Sequence, residues 1–260
     1  MAIVLDLWKI EDGACYIDEE TKNYVAWSML SYCSKMFWGC ETIKKLDRAK
    51  SLSDKAFIEY EPGAFTDLID LYKSIESPVL DAVRIVICFE NYFKAILLLK
   101  NFVIHRMDIN ICREHFPQFV TGKAQKQLLQ NSTPILISDI KQAENRDDLS
   151  AKPLQTLNNQ TIDIGALLSQ PKYRAVYSKG KESDDKLFPL LQSLKKTRNS
   201  LHFLNIEYLA SGGLGAGYFL FLRDYVSTHI DTYGENFYKD NESSIKTGKM
   251  EIEDLDPEEV

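Results

Sequence analysis

The stretch from Val79 to Ile104 constrains this chain most, because it is apolar on most sides yet carries Arg84, Glu90, Lys94 and Lys100. A helix crossing a lipid bilayer does not tolerate that density of charge, so the pattern predicts a buried core helix from about Val79 to Arg106. Ser77-Pro78 suits its start, with serine as cap and proline in the first turn. Arg84, Asn91, Lys94, Asn101, His105 and Asp108 recur at spacings of three, four or seven. They are expected to form one polar stripe on the rod, facing water, a cleft or another subunit. Glu90 and Lys94, four apart, can pair along it.

The 260 residues around this helix are enough for one large domain or two small ones. Residues 1–20 read as an irregular or stranded lead-in, and Lys22 to Lys50 as helical. Pro62-Gly63 breaks the chain, and Phe65, Leu68, Ile69 and Tyr72 then repeat at helical spacing. Residues 122–185 are rich in Gln, Asn, Ser, Asp and Lys. Ile135-Leu136-Ile137, Ile162 and Leu167-Leu168 are expected as short docked pieces within a long insertion or cover. From about Asp184, Leu187, Leu190, Leu194, Leu201, Leu204 and Tyr208 fit a seven-residue repeat, with Thr197 in the remaining position. That predicts an amphipathic helix. A glycine-rich break follows, and then a helix from Tyr218 to about Tyr238 with Phe219, Leu222 and Val226 on one face. Strand signals are few, so the expected fold is all-α: a helical bundle with an N-terminal helical extension (1–76), a helical domain (77–240) holding the insertion at 122–185, and a disordered acidic tail (241–260).

The formal net charge is -7, but Glu251, Glu253, Asp254, Asp256, Glu258 and Glu259 account for six of those charges. The acidic balance therefore leaves room for a nucleic-acid partner, since local charge decides binding. The N-terminus lacks the basic head and apolar core of a secretory signal. Five cysteines at irregular spacings, Cys15, Cys33, Cys40, Cys88 and Cys112, read as reduced and mostly buried thiols of a cytoplasmic protein.

The chemistry concentrates in Lys195-Lys196-Thr197-Arg198-Asn199-Ser200-Leu201-His202-Phe203. On a helix Arg198 and His202 lie roughly 40° apart, beside the leucine seam, with Asn205 near the same line. Arginine can stabilise a phosphate in the transition state, and histidine can move the ribose 2'-OH or leaving-group proton. Lys195 and Lys196, preceded by Lys172, Arg174, Lys179 and Lys181, make the local field positive, which suits RNA. The plainer reading pairs Arg198 with a carboxylate and packs His202 against aromatics. Gly213-x-Gly215-x-Gly217 lacks the spacing and strand context of a dinucleotide loop. His105, Cys112 and His115 have no second ligand pair, so no metal and no cofactor are expected. His229 falls at helical spacing from Tyr225 and Tyr233, which reads as packing or surface.

Leu191 to Phe203, with Arg198-Asn199 followed by His202, resembles the signature of the HEPN superfamily (higher eukaryotes and prokaryotes nucleotide-binding). The resemblance implies a compact helical bundle, and for many members a metal-independent endoribonuclease in toxin–antitoxin or antiviral defence systems, with one site built by a homodimer. It implies Arg198 as the phosphate-contacting arginine, Asn199 as the polar residue after it and His202 as the catalytic histidine. Glu90-Asn91-Tyr92-Phe93-Lys94 is similar to the acidic and basic pair on an early helix of such domains, which casts Glu90, Asn91 and Lys94 as supporting residues. Lys195 and Lys196 would contact RNA. The chain departs from the pattern in its spacing, since three residues separate Arg198 from His202 where the family has four to six. Either the pair works with altered geometry, or the chain is a catalytically inactive helical module that binds RNA or a protein partner. The expected partners are RNA, a second copy, and an inhibitory or activating protein, with no membrane.

Overall fold

The computed structural model describes residues 8–11, 14–17, 19–75, 78–108, 128–129, 136, 157–200 and 216–253. The framework is helical, as the sequence predicts, with two small antiparallel sheets added to it. In chain order the elements are β1 (Trp8–Glu11), β2 (Ala14–Ile17), α1 (Glu19–Trp38), α2 (Glu41–Lys44), α3 (Leu46–Phe57), α4 (Ala64–Lys73) and α5 (Pro78–Leu99). They continue with β3 (His105–Asp108), β4 (Leu128–Leu129), β5 (Leu157–Thr161), α6 (Ile164–Ser169), α7 (Pro171–Tyr177), α8 (Lys181–Ser200) and α9 (Ala216–Tyr225). A π-helical segment, Val226–Asp231, follows, and then α10 (Thr232–Glu253). Among the described residues no helix is long and apolar enough to cross a membrane.

The chain divides into two compact units. The first comprises Met1–Met29, Phe93–Ser178 and Asn236–Val260, and the second Leu30–Tyr92 and Lys179–Glu235.

In the first unit β1 and β2 pair as a hairpin, in line with the stranded lead-in. A second sheet has the order β4-β3-β5. The core helix is shorter than its apolar run. Asn101 takes a left-handed conformation (φ 60°), and Phe102 N–H returns to the Leu97 carbonyl at 2.9 Å. That geometry closes α5 at Leu99, because the backward bond satisfies a carbonyl the helix leaves open. His105 therefore lies in β3, buried, and the expected single stripe is split between a helix and a strand. Ile162, Leu167 and Leu168 are docked as expected, whereas Leu136 is exposed and Ile135 and Ile137 lie outside the described residues. Beside them Tyr173 and Tyr177 are buried as well, and Tyr177 stacks on Phe93 at 4.1 Å. Asp163 caps α6 by accepting from Ala166 N–H at 2.9 Å, which is why that turn starts there.

The expected disordered tail from 241 is corrected in part. Asn241 interrupts the helical backbone, yet α10 continues to Glu253. Ile245 is buried, Asn23 Nδ2 donates to Ser244 Oγ at 3.1 Å, and Gly248 lies so close to α1 that a Cβ there would strike the Glu20 carbonyl and Thr21 N. One side-chain hydrogen bond and one missing Cβ hold this stretch against the start of α1.

In the second unit the helical stretch expected from Lys22 to Lys50 is broken after Trp38. The turn is held by Asp81, which accepts from the Glu41 and Thr42 N–H groups at 3.0 and 2.7 Å and so satisfies the open end of α2. Arg84 Nη1 bonds the Gly39 carbonyl at 3.1 Å. Leu187, Leu190, Leu194 and Thr197 are all buried, which bears out the seam of α8 as far as it is described. Phe219, Leu222 and Val226 form the inward face of α9 and its continuation.

Candidate functional site

The seam fixes the rotation of α8. With Thr197 turned inward, its hydroxyl donating to the Ser193 carbonyl at 3.3 Å, the next residue, Arg198, comes to the edge of the buried stripe. Its Nη1 lies 3.6 Å from Glu90 Oε2 on α5, with side chains 30% and 20% exposed. Arg198 Nε is 3.4 Å from the Asn199 amide oxygen, a long and weak contact. Asn91 and Lys195 are half-buried, while Asn199 and Lys196 are exposed. The second unit thus brings Arg198, Asn199 and Glu90 together. His202, Leu201, Phe203 and Asn205 lie outside the described residues. Lys94 belongs to the first unit, where it is buried and donates to Thr161 Oγ1 at 2.8 Å.

A half-exposed ion pair at this distance contributes about 0–1 kcal/mol, so stability alone does not demand it. A guanidinium has five N–H donors in a planar fork, and one carboxylate oxygen occupies a small part of that capacity. A phosphate approaching from the solvent side would meet the remaining donors. Lys195 and Lys196 on the same turn would add positive field.

A second polar cluster surrounds His229 in the π-helical segment. The His229 ring packs against Tyr225 at 4.6 Å, edge to face, and Lys179 Nζ sits 6.0 Å from the Tyr233 ring centre. Burial, reinforced by Lys179, lowers the His229 pKa from its ordinary value. Burial likewise raises the Tyr92 and Tyr233 hydroxyls. Asp231 Oδ2 accepts from Trp38 Nε1 at 2.9 Å. The spacing of Tyr225, His229 and Tyr233 was legible in the sequence, but the switch to π-helical winding was not, since no residue type announces an i→i+5 bond. Nearby in sequence, an open depression of about 390 Å³ is lined by Lys179, Gly180, Lys181, Ser183, Lys186 and Phe221, with Glu182 pairing to Lys186 at 3.1 Å.

Other candidates resolve into packing. Cys33, Cys40 and Cys88 are buried free thiols, as expected. Cys33 Sγ donates to the Cys88 carbonyl at 3.0 Å. Burial, then the neighbouring Asp81 carboxylate, pushes the Cys40 thiol up, and burial raises Cys88, so both stay protonated and unreactive. His105 is buried in β3, and Cys112 and His115 lie outside the described residues. Among the described residues no group of three or more His, Cys, Asp or Glu is placed to hold a metal ion. Gly217 is exposed on α9, while Gly213 and Gly215 lie outside the described residues.

Compared with known proteins, the chain matches no family model, no curated protein and no solved structure.

Proposed function

We propose that this protein acts on RNA as a HEPN-like, metal-independent endoribonuclease, with Arg198 binding the scissile phosphate and His202 moving the proton. The observation that carries the reading is the approach of Arg198 to Glu90 at 3.6 Å. The resemblance assigns those two residues, from two separate helices, to one site. Asn199 beside Arg198 fits the same assignment. Glu90 orients the guanidinium until phosphate takes its place, and Lys195 and Lys196 draw in the backbone. The homodimer and the defence or toxin–antitoxin setting are implied by the resemblance.

The other reading is a helical module that binds RNA or a protein without cutting, and the same ion pair favours it, because a carboxylate partner is also what a structural arginine takes. One experiment separates the two: cleavage of labelled total RNA in chelator by the wild type, His202→Ala and Arg198→Ala. Cleavage lost in both variants, with fold intact, supports the ribonuclease. No cleavage by the wild type, with salt-dependent RNA binding that Arg198→Ala weakens, supports the module. Neither cleavage nor binding removes both.

A further inference from the structure

The hairpin formed by α3 and α4 in the second unit presents more apolar surface than its packing uses. The inward face of α4 is Ala64, Leu68 and Leu71, with Leu68 and Leu71 packed with Ala49 and Leu52 of α3. A second apolar ridge, Phe65 and Ile69, lies on the outward side of the same helix. It meets Phe57 at the end of α3, ring centres 5.7 Å apart and edge to face. Ile58 and Tyr60 extend the ridge across the connecting turn, 71% and 81% exposed, with Phe57 and Phe65 at 57% and 53%. Tyr60 holds a left-handed backbone (φ 54°), an uncommon conformation for a bulky residue, and Gly63 another (φ 90°). Five large apolar side chains within thirteen residues are thus kept in water at one tip.

The rim is charged, with one sign in excess. Around the turn, between residues 54 and 61, stand Asp54, Glu59 and Glu61 against Lys55 alone. Lys55 pairs with Glu61 at 3.2 Å and Lys73 with Asp70 at 3.4 Å. Glu59, between Ile58 and Tyr60, is exposed and has no ion-pair partner among the described residues. Carboxylates around an apolar ridge repel phosphate, which argues against nucleic acid and anionic lipid at this tip. They attract lysine and arginine.

We propose that the α3–α4 tip is a protein docking site for a basic amphipathic helix of a partner. Apolar residues on one face of that helix would cover Ile58, Tyr60 and Phe65, and a lysine or arginine beside them would meet Glu59. This site is independent of Arg198 and does not rest on the ribonuclease reading.

The test uses the full chain and a fluorescent synthetic amphipathic helix of leucine and lysine. A leucine–glutamate counterpart and a scrambled leucine–lysine peptide serve as controls. Saturable binding of the first peptide alone is expected. Affinity should fall about tenfold or more in Ile58→Ser, in keeping with the weight of central anchors at interfaces, and severalfold in Glu59→Lys. Ile58 sits on the turn outside the core, so its variant should keep the wild-type circular dichroism; Phe65→Ser provides a second. Three results overturn the proposal: no saturable binding, equal binding of the scrambled peptide, or binding indifferent to Ile58→Ser and Phe65→Ser. Concentration-dependent self-association abolished by Ile58→Ser also overturns it, by assigning the tip to a second copy of this chain.

Discussion

Arg198 on α8 and Glu90 on α5 meet at 3.6 Å with both side chains partly open to water. On the proposed reading, an arginine already opposite a carboxylate would exchange one anion for another on taking up phosphate. The exchange is feasible because a partly exposed pair is weak and its donors are many.

Glu90→Gln should therefore strengthen RNA binding roughly two- to fivefold while costing at most about 1 kcal/mol of stability, since it removes the competing charge and keeps the shape. Arg198→Ala should weaken binding and lower the slope of log affinity against log salt by about one. Filter binding across a salt series reads both. Unchanged affinity in both variants would make the pair purely structural.

Asp81→Ala should destabilise the second unit by about 2–4 kcal/mol, because the Glu41 and Thr42 N–H groups lose their acceptor and Arg84 loses a carboxylate at 3.4 Å. Urea denaturation measures it. A loss below about 0.5 kcal/mol would mean that water replaces the carboxylate.

How far these elements could be read beforehand depended on what set them. The seam through Leu187, Leu190, Leu194 and Thr197 was legible because helical period is written in residue type. An arginine paired with a carboxylate was legible too, as the plainer reading of Arg198, though not which carboxylate. The end of α5 was not. Val103 and Ile104 are as apolar as the helix before them, and a single left-handed Asn101 decides the break. The polar run around Asn158 and Gln160 concealed a strand, because backbone pairing to β3 does not require apolar side chains. The end of α10 depends on Ser244 and Gly248 meeting a segment more than 200 residues earlier, which local pattern cannot register.

Gly248→Ala places a methyl group where the Glu20 carbonyl and Thr21 N already stand. Helix propensity favours alanine by about 1 kcal/mol, yet the clash should reverse the sign and cost about 1–3 kcal/mol net. Thermal denaturation checks the sign, and faster amide exchange after Asn241 would locate the damage. A more stable variant would show that the two helices part easily.

His229 gives the second unit a dependence on pH. Burial and Lys179 hold its pKa below the ordinary 6.5, so the unfolded chain binds more protons between the two values. Its contribution is complete above about pH 6.5, declines as pH falls through the folded pKa, and then levels off. His229→Gln should flatten that part of the curve of melting temperature against pH. An unaltered curve would place the acid sensitivity elsewhere.

The three buried thiols have a consequence for watching this molecule move. Cys33, Cys40 and Cys88 all lie in the second unit, shut away from solvent. With Cys15 and Cys112 replaced by serine, each can be alkylated only during an excursion that opens that unit. The labelling rate then acts as a native stopwatch, reporting how often half of the chain breathes while the other half stays silent.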